Sequence, residues 1–161
     1  SGNRRLRLCF FMSTLLVWIL LGSFLGTIFS SAGPCYYAQV LPSAENPFAP
    51  LMEKLQAIHA SGRLYAIHNE AGLWEAGLLD VWMPFGGISA MPSIHLAMST
   101  ILTLLAFNLR RWIGWLAAGY TVVMQAGSVI LGWHYAVDGY AGILLSACIW
   151  FAVARILKRP A

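Results

Sequence analysis

Two short stretches hold the side chains best suited to chemistry. The first runs Gly86-Gly87-Ile88-Ser89-Ala90-Met91-Pro92-Ser93-Ile94-His95. Its glycines and Pro92 predict a non-helical approach, and Pro92 and Ser93 suit the start of a helix. A helix N-terminus there offers free N–H groups and the positive dipole end, a combination that favours a phosphate. His95 follows within the first turn. The second stretch is Gly132-Trp133-His134-Tyr135-Ala136-Val137-Asp138-Gly139. Gly132 can end one helix. With the next helix starting at Trp133, His134 and Asp138 share one face, four residues apart. A carboxylate at that spacing holds one imidazole nitrogen and fixes the tautomer. The other nitrogen is then free to attack or to accept a proton. Taken singly, each stretch has a plainer reading. Ser93 serves as a helix cap, His95 as an interfacial histidine, and His134 with Asp138 as a cap beside a chance acid.

Four apolar runs must position these groups. Leu8 to Ile28 is 21 residues without a charge, and Ile88 to Leu109 has His95 as its single ionisable residue. Trp112 to Leu131 and a run from near Trp133 to Leu157 follow. Each is long enough for a bilayer core about 30 Å thick. The 161 residues are 59% hydrophobic and 10% charged, with mean hydropathy +0.69. Soluble domains carry about 25% charged residues. The balance excludes a disordered chain, a coiled coil and most soluble enzymes. It predicts an all-α, polytopic transmembrane bundle, with residues 1–161 forming a single membrane-embedded domain.

The positive charges give the orientation. Arg4, Arg5, Arg7, Arg110, Arg111, Arg155, Lys158 and Arg159 are eight of the ten cations, and with four spans all fall on one side. The positive-inside rule makes that side cytoplasmic. The net charge of +4 and the pI near 9.2 are therefore a topology signal, and no nucleic-acid partner is expected. His95 opens a span running inward, and His134 follows the return of the next span. Both histidines and Asp138 thus fall at one outer level.

The outer segment from Ser30 to Gly87 is too charged to span. Leu51, Leu55, Ile58 and Tyr65 share a helical face after Asn46-Pro47, although Gly62 interrupts it. Leu73, Trp74, Leu78, Leu79, Val81 and Trp82 form a second apolar stretch. One or two amphipathic helices are expected on the outer membrane surface. Tyr36, Tyr37, Trp74, Trp82, Trp133 and Tyr140 suit an outer aromatic belt, with Trp112 and Trp115 at the inner one. Cys9, Cys35 and Cys148 form no disulfide framework and no zinc pattern.

Pro92-Ser93-Ile94-His95 resembles the Pro-Ser-Gly-His motif of the type 2 phosphatidic acid phosphatase superfamily. His134 to Asp138 resembles that family's final His-x-x-x-Asp. The longer strings around both are most similar to the branch containing inositol phosphorylceramide synthases. The resemblance covers about residues 30 to 157 and implies an integral membrane lipid phosphotransferase or phosphatase with its site facing outward. It implies His134 as the nucleophile, Asp138 as its orienter, and His95 as the acid and then the base. Ser93 and nearby amides would hold phosphate oxygens. No metal and no other cofactor is implied; the partners would be membrane lipids, a phospholipid donor and a lipid alcohol or water as acceptor.

The sequence departs from that pattern. The family's Lys-x6-Arg-Pro motif is absent, Ile94 replaces Gly, and Ser128 stands where an Arg often precedes the last His. Six spans are usual in the family, so two N-terminal spans are expected to be missing from this chain. Phosphoryl transfer needs cations against the equatorial oxygens. Lys54 and Arg63 are the only outer cations and become substrate-binding candidates by elimination; as plain solvated loop charges they need no role. His59 and His68 share the loop and are expected to have none. An isoprenoid diphosphate phosphatase is a second reading within the superfamily. A metal-binding membrane protein, using two His and one Asp, and a non-catalytic scaffold are rivals of another class.

Overall fold

The computed structural model describes residues 2–29, 31–42, 45–64, 74 and 90–157, and every regular element among them is helical. The first apolar run is helical throughout, from α1 (Gly2–Leu16) through a wider π-helical stretch (Val17–Leu25) to α2 (Gly26–Phe29). Within that stretch Ser23 Oγ donates to the Trp18 carbonyl five residues back, at 3.4 Å, in keeping with the wider register. A 3₁₀ turn (Pro34–Tyr36) and the short α3 (Tyr37–Val40) follow. Then come α4 (Ala49–Ala60), α5 (Ile94–Leu109), α6 (Arg111–Ile130) and α7 (Ala136–Ile156).

Among the described residues, three stretches are long and apolar enough to cross a membrane: Arg4–Val40, Arg111–Ile130 and Ala136–Ile156. The protein is an integral membrane helical bundle. The expected second span is shorter than its apolar run, because α5 begins only at Ile94. Its 16 residues reach about 24 Å at 1.5 Å each, just under the usual spanning range of about 17–25 residues. The lost length goes into the motif loop. Ala90 N–H donates to the Ser31 carbonyl at 2.7 Å, and Ser93 is extended at φ −68° and ψ 112°.

The core joins three elements. Cys9, Val17 and Leu21 of the first stretch meet Ala97 and Ile101 of α5 and Trp150 and Val153 of α7. α6 packs along α5 and only lightly against α7. Its Leu116, Val122 and Val123 are about two-thirds exposed, a lipid-facing surface. In lipid, small residues and hydroxyls hold helices together in place of the hydrophobic effect. Thr121 Oγ1 meets Ser99 Oγ at 2.7 Å and Thr103 Oγ1 at 3.0 Å, each contact contributing about 0.6 kcal/mol. Gly142 brings α7 against the start of α5, where a Cβ would lie 2.4 Å from the Ser93 carbonyl oxygen.

Charge divides the bundle by its ends. Arg110 separates α5 from α6, Arg111 opens α6, and Arg155 lies in the last turn of α7. Cys9 Sγ approaches the Trp150 carbonyl at 3.8 Å, which sets Arg4, Arg5 and Arg7 toward that same end. All six are exposed. The motif loops occupy the opposite end.

The expected outer helix forms as α4. Asn46 Oδ1 accepts the Phe48 N–H at 2.9 Å ahead of it. It stops at Gly62, whose φ of +74° is left-handed, so it does not run on toward Tyr65. Leu55 is buried, whereas Ile58 is 45% exposed, so only part of the expected face is covered. His59 Nδ1 bonds the Leu64 carbonyl, a local tie at the helix end. Phe48 packs edge-on against Tyr37 and Tyr135, which seats the start of α4 beside the α6–α7 turn. Tyr36 is buried and stacks on Trp74 at 5.3 Å, so it belongs to this packing and not to an exposed belt. Trp82, His68 and the rest of the second apolar stretch lie outside the described residues. The three cysteines are free; Cys9 and Cys35 are buried and Cys148 is exposed.

Candidate active site

The α6–α7 turn is built by its hydrogen bonds. Gly132 takes a left-handed φ of +75° just past the end of α6. Its N–H donates to the Val129 carbonyl at 3.1 Å, and the Trp133 N–H donates to Ser128 at 3.1 Å. That pair of bonds closes the helix C-terminus in a Schellman motif, which glycine accommodates without Cβ strain. The His134 N–H also donates to Ser128, at 3.2 Å. The backbone of His134 is thus tied to the end of α6.

α7 starts at Ala136, so His134 and Asp138 do not share a helix as the spacing suggests. Tyr135 is extended at ψ 153° and is the N-cap. Asp138 Oδ2 accepts the Tyr135 N–H at 2.7 Å, satisfying one of the free donors at a helix start. That duty keeps the carboxylate 3.8 Å from His134 Nδ1, close enough to pair with the imidazole once it is protonated but beyond a hydrogen bond. Asp138 is 2% exposed. His134 Nδ1 instead pairs with the main-chain carbonyl of Ala90 at 2.9 Å. A carbonyl only accepts, so Nδ1 carries the proton and Nε2 presents its lone pair.

Nε2 faces the other motif. Ser93 Oγ lies 3.4 Å away and, with Nε2 an acceptor, is the donor. Ser93 occupies the N-cap position of α5, yet its side chain makes no cap bond. It is fully buried and turned toward the imidazole. Ser93 N–H donates to the Asp138 carbonyl at 3.0 Å, which joins the two helix starts directly. His95, exposed on the first turn of α5, sets its ring centroid 6.1 Å from that of His134. Ile94, where the resembling motif has Gly, points to the first helix, its Cδ1 3.2 Å from where a Cβ on Gly22 would be.

Burial pushes the His134 imidazole below its ordinary 6.5; its hydrogen bond to Ala90 and the charge of Asp138 oppose this, and His95 adds to it. The ring is therefore neutral at pH 7, the state a nitrogen nucleophile requires. Burial, then Asp138, Tyr37 and Cys35, push the Tyr135 phenol above its ordinary 10.0, so it stays protonated beside the site.

The fold brings Ser93, His95, His134 and Asp138 together. It leaves Lys54 and Arg63 exposed, and neither side chain forms an ion pair or hydrogen bond among the described residues. Two contributors had no signature in the sequence. One is the Ala90 carbonyl, a main-chain group. The other is Gln125, whose Nε2 donates to the Ala136 carbonyl at 3.2 Å while its Oε1 is buried without a partner among the described residues.

A part-buried neutral imidazole, a serine hydroxyl facing its Nε2, a helix N-terminus and a second histidine thus stand together at one end of the bundle. The PAP2 superfamily profile matches residues 3–152, and the chain belongs to that superfamily. Membership makes it an enzyme of the phosphatase and phosphotransferase class, acting on phosphoesters. No curated protein and no solved structure matches the chain.

Proposed function

We propose that this protein is a lipid phosphotransferase that works through a phosphohistidine on His134. The observation that carries the reading is the orientation of one ring. With Nδ1–H committed to Ala90, the lone pair of Nε2 points at Ser93 and the start of α5. Nε2 attacks phosphorus, and the bond from phosphorus to the leaving oxygen breaks. His95 donates its proton to that oxygen. His95 then takes a proton from the acceptor hydroxyl, whose oxygen attacks phosphorus as the P–N bond breaks. Ser93 and the free N–H groups of α5 meet the charge on the equatorial oxygens. Asp138 lends its charge to the imidazole from 3.8 Å.

Charge favours a donor class. Lys54 and Arg63 are the chain's only cations between Arg7 and Arg110, and both are exposed. A phosphodiester lipid carries one negative charge on its phosphate and needs less compensation than a diphosphate. This supports an inositol phosphorylceramide synthase-like transfer from a phospholipid to ceramide or diacylglycerol over the isoprenoid diphosphate phosphatase reading. With water as acceptor the same steps give a phosphatase. The Arg-rich end faces the cytoplasm by the positive-inside rule, and the site faces outward. Turnover in this reading needs no metal.

The test supplies the purified protein with a phospholipid labelled in its phosphate, with and without ceramide. Label passing to ceramide, and lost in His134→Ala, is the expected result. Turnover confined to lipid diphosphates favours the second reading. Activity abolished by a chelator and restored by a divalent cation favours the metal-binding class.

A further inference from the structure

Within the proposed phosphotransfer, we infer that the main-chain carbonyl of Ala90, gripped by the segment from Ser31 to Tyr36, sets the tautomer of His134. Asp138 then anchors the start of α7 and is not the imidazole's hydrogen-bond partner. Two distances separate these roles: Nδ1 is 2.9 Å from the Ala90 oxygen and 3.8 Å from Asp138 Oδ2. The carboxylate oxygen is already engaged by the Tyr135 N–H at 2.7 Å.

The Ala90 carbonyl needs its own support, and the chain after the first membrane helix supplies it. The Ser31 carbonyl accepts the Ala90 N–H at 2.7 Å. Four residues further on, Cys35 N–H donates to the Gly132 carbonyl at 2.9 Å. One short segment thus holds both motif loops, Ala90 through one end and the turn bearing His134 through the other. Gly33 lies between those contacts. A Cβ there would stand 2.1 Å from the Trp133 carbonyl oxygen and 3.2 Å from that of Gly132. Its φ of −72° and ψ of 172° are open to any residue, so the site uses its lack of a side chain. Gly33 is a positioning residue: it sets the separation of the two loops and so the reach of Ala90 to His134.

Among the described residues, the groups facing His134 are few. Ser93 and His95 come from α5, Asp138 from α7 and the Ala90 carbonyl from the loop before α5. Of these, the charge of Asp138 strengthens proton binding by His134 and His95 weakens it. Tyr37 and Cys35 face the neighbouring Tyr135.

The experiment compares Asp138→Asn, Asp138→Ala and Gly33→Ala in the full chain. It reads the ¹⁵N shifts of the His134 ring, assigned against His134→Ala, and the pH profile of phosphorylation by an activated phosphate ester. Asparagine still accepts the Tyr135 N–H. Asp138→Asn is expected to keep the Nδ1–H tautomer, to slow phosphorylation less than about tenfold, and to move the acid limb to lower pH. Asp138→Ala falls further, because the Tyr135 N–H loses its acceptor. Gly33→Ala keeps its KM within a few-fold and loses about 10²-fold in rate, the cost of an ångström-scale displacement at a reacting group. Its ring shifts move toward a mixture of tautomers, and its elution and thermal unfolding in detergent report whether the bundle stays intact. A switch of Asp138→Asn to the Nε2–H tautomer, with a loss near 10⁴-fold, overturns the proposal, since that is the signature of a carboxylate holding the ring. So does a Gly33→Ala protein with wild-type rate and shifts. The ring shifts need no turnover, so the tautomer assignment stands or fails apart from the phosphotransfer reading.

Discussion

The two motif histidines are held in opposite ways. His134 is fixed at every level: a Schellman turn behind it, its N–H tied to Ser128, Nδ1 on the Ala90 carbonyl and Ser93 against Nε2. His95 stands exposed on the first turn of α5, and its ring nitrogens make no hydrogen bond among the described residues. A nucleophile gains from being fixed in a near-attack geometry, because entropy lost in advance is not lost in the reaction. An acid that serves two oxygens in turn, first leaving and then attacking, gains from an aim that the substrate itself completes. The contrast fits the roles proposed for the two rings, His134 as nucleophile and His95 as acid and then base.

The strongest way to break this comparison is to remove each ring. His134→Ala is expected to abolish turnover and all phosphoenzyme, since nothing replaces a missing nucleophile. His95→Ala is expected to slow turnover by about 10²- to 10⁴-fold, the usual contribution of a general acid, yet still to permit phosphorylation by an ester with a good leaving group. The measurement is acid-labile, base-stable labelling of the protein. Label kept in His134→Ala and lost in His95→Ala would reverse the two roles. Normal turnover with no label in any variant would favour direct attack by the acceptor.

Ser93 sharpens the same comparison. It belongs to the loop of His95 but touches the ring of His134. Ser93→Ala is expected to lose about 10- to 100-fold in kcat, matching a hydrogen bond to a charged group at about 1.5–3 kcal/mol. Its thermal unfolding should change little, because the side chain makes no helix-cap bond. A large fall in stability with kcat preserved would return Ser93 to a structural role.

How legible the site was depended on which groups build it. Side chains with chemistry, Ser93, His95, His134 and Asp138, stood out by type and spacing, and the topology set them at one end. The all-α membrane class followed from long apolar runs. The partner of Nδ1 did not, because every residue has a carbonyl and Ala90 carries no mark. The spacing of His134 and Asp138 misled for a related reason. Four residues make a helical pair only if the helix has begun, and here it begins after His134. Likewise the run from Ile88 to Leu109 has a single ionisable residue, but Ala90 to Ser93 precede the helix, so α5 is shorter than the run.

The pH dependence tests the part-buried His134 as the proposed nucleophile against the exposed His95. His134 is pushed below 6.5, chiefly by burial, so it loses its lone pair only in more acid solution than an ordinary imidazole. Phosphorylation by an activated ester, which relies least on His95, should therefore show an acid limb below 6.5. Stability has the same sign. The unfolded chain binds this proton more readily than the native one, so the contribution is whole above 6.5 and is lost as pH falls through the lower native value. An acid limb at or above 6.5 would mean that the reacting imidazole is not that of His134.

The smallest expected effect concerns the outer cations. Lys54 lies exposed on α4 and Arg63 just beyond its end, and neither side chain is paired among the described residues. Residues 65–89 contain no Lys or Arg, so Lys54 and Arg63 are the only Lys or Arg between Arg7 and Arg110. A site that relies on Ser93 and helix N–H groups suits a singly charged phosphodiester, and exposed charges are screened within about 8–10 Å at ordinary salt. Changing Lys54 and Arg63 together to Gln should lower transfer from a phosphodiester lipid less than about threefold, with the modest effect fading as salt rises. A loss near 10²-fold, insensitive to salt, would show that one of these cations closes onto the phosphate oxygens in the working enzyme. The mouth of the site would then be as organised as His134 itself, and the division between a fixed loop and a free one would not extend beyond the two histidines.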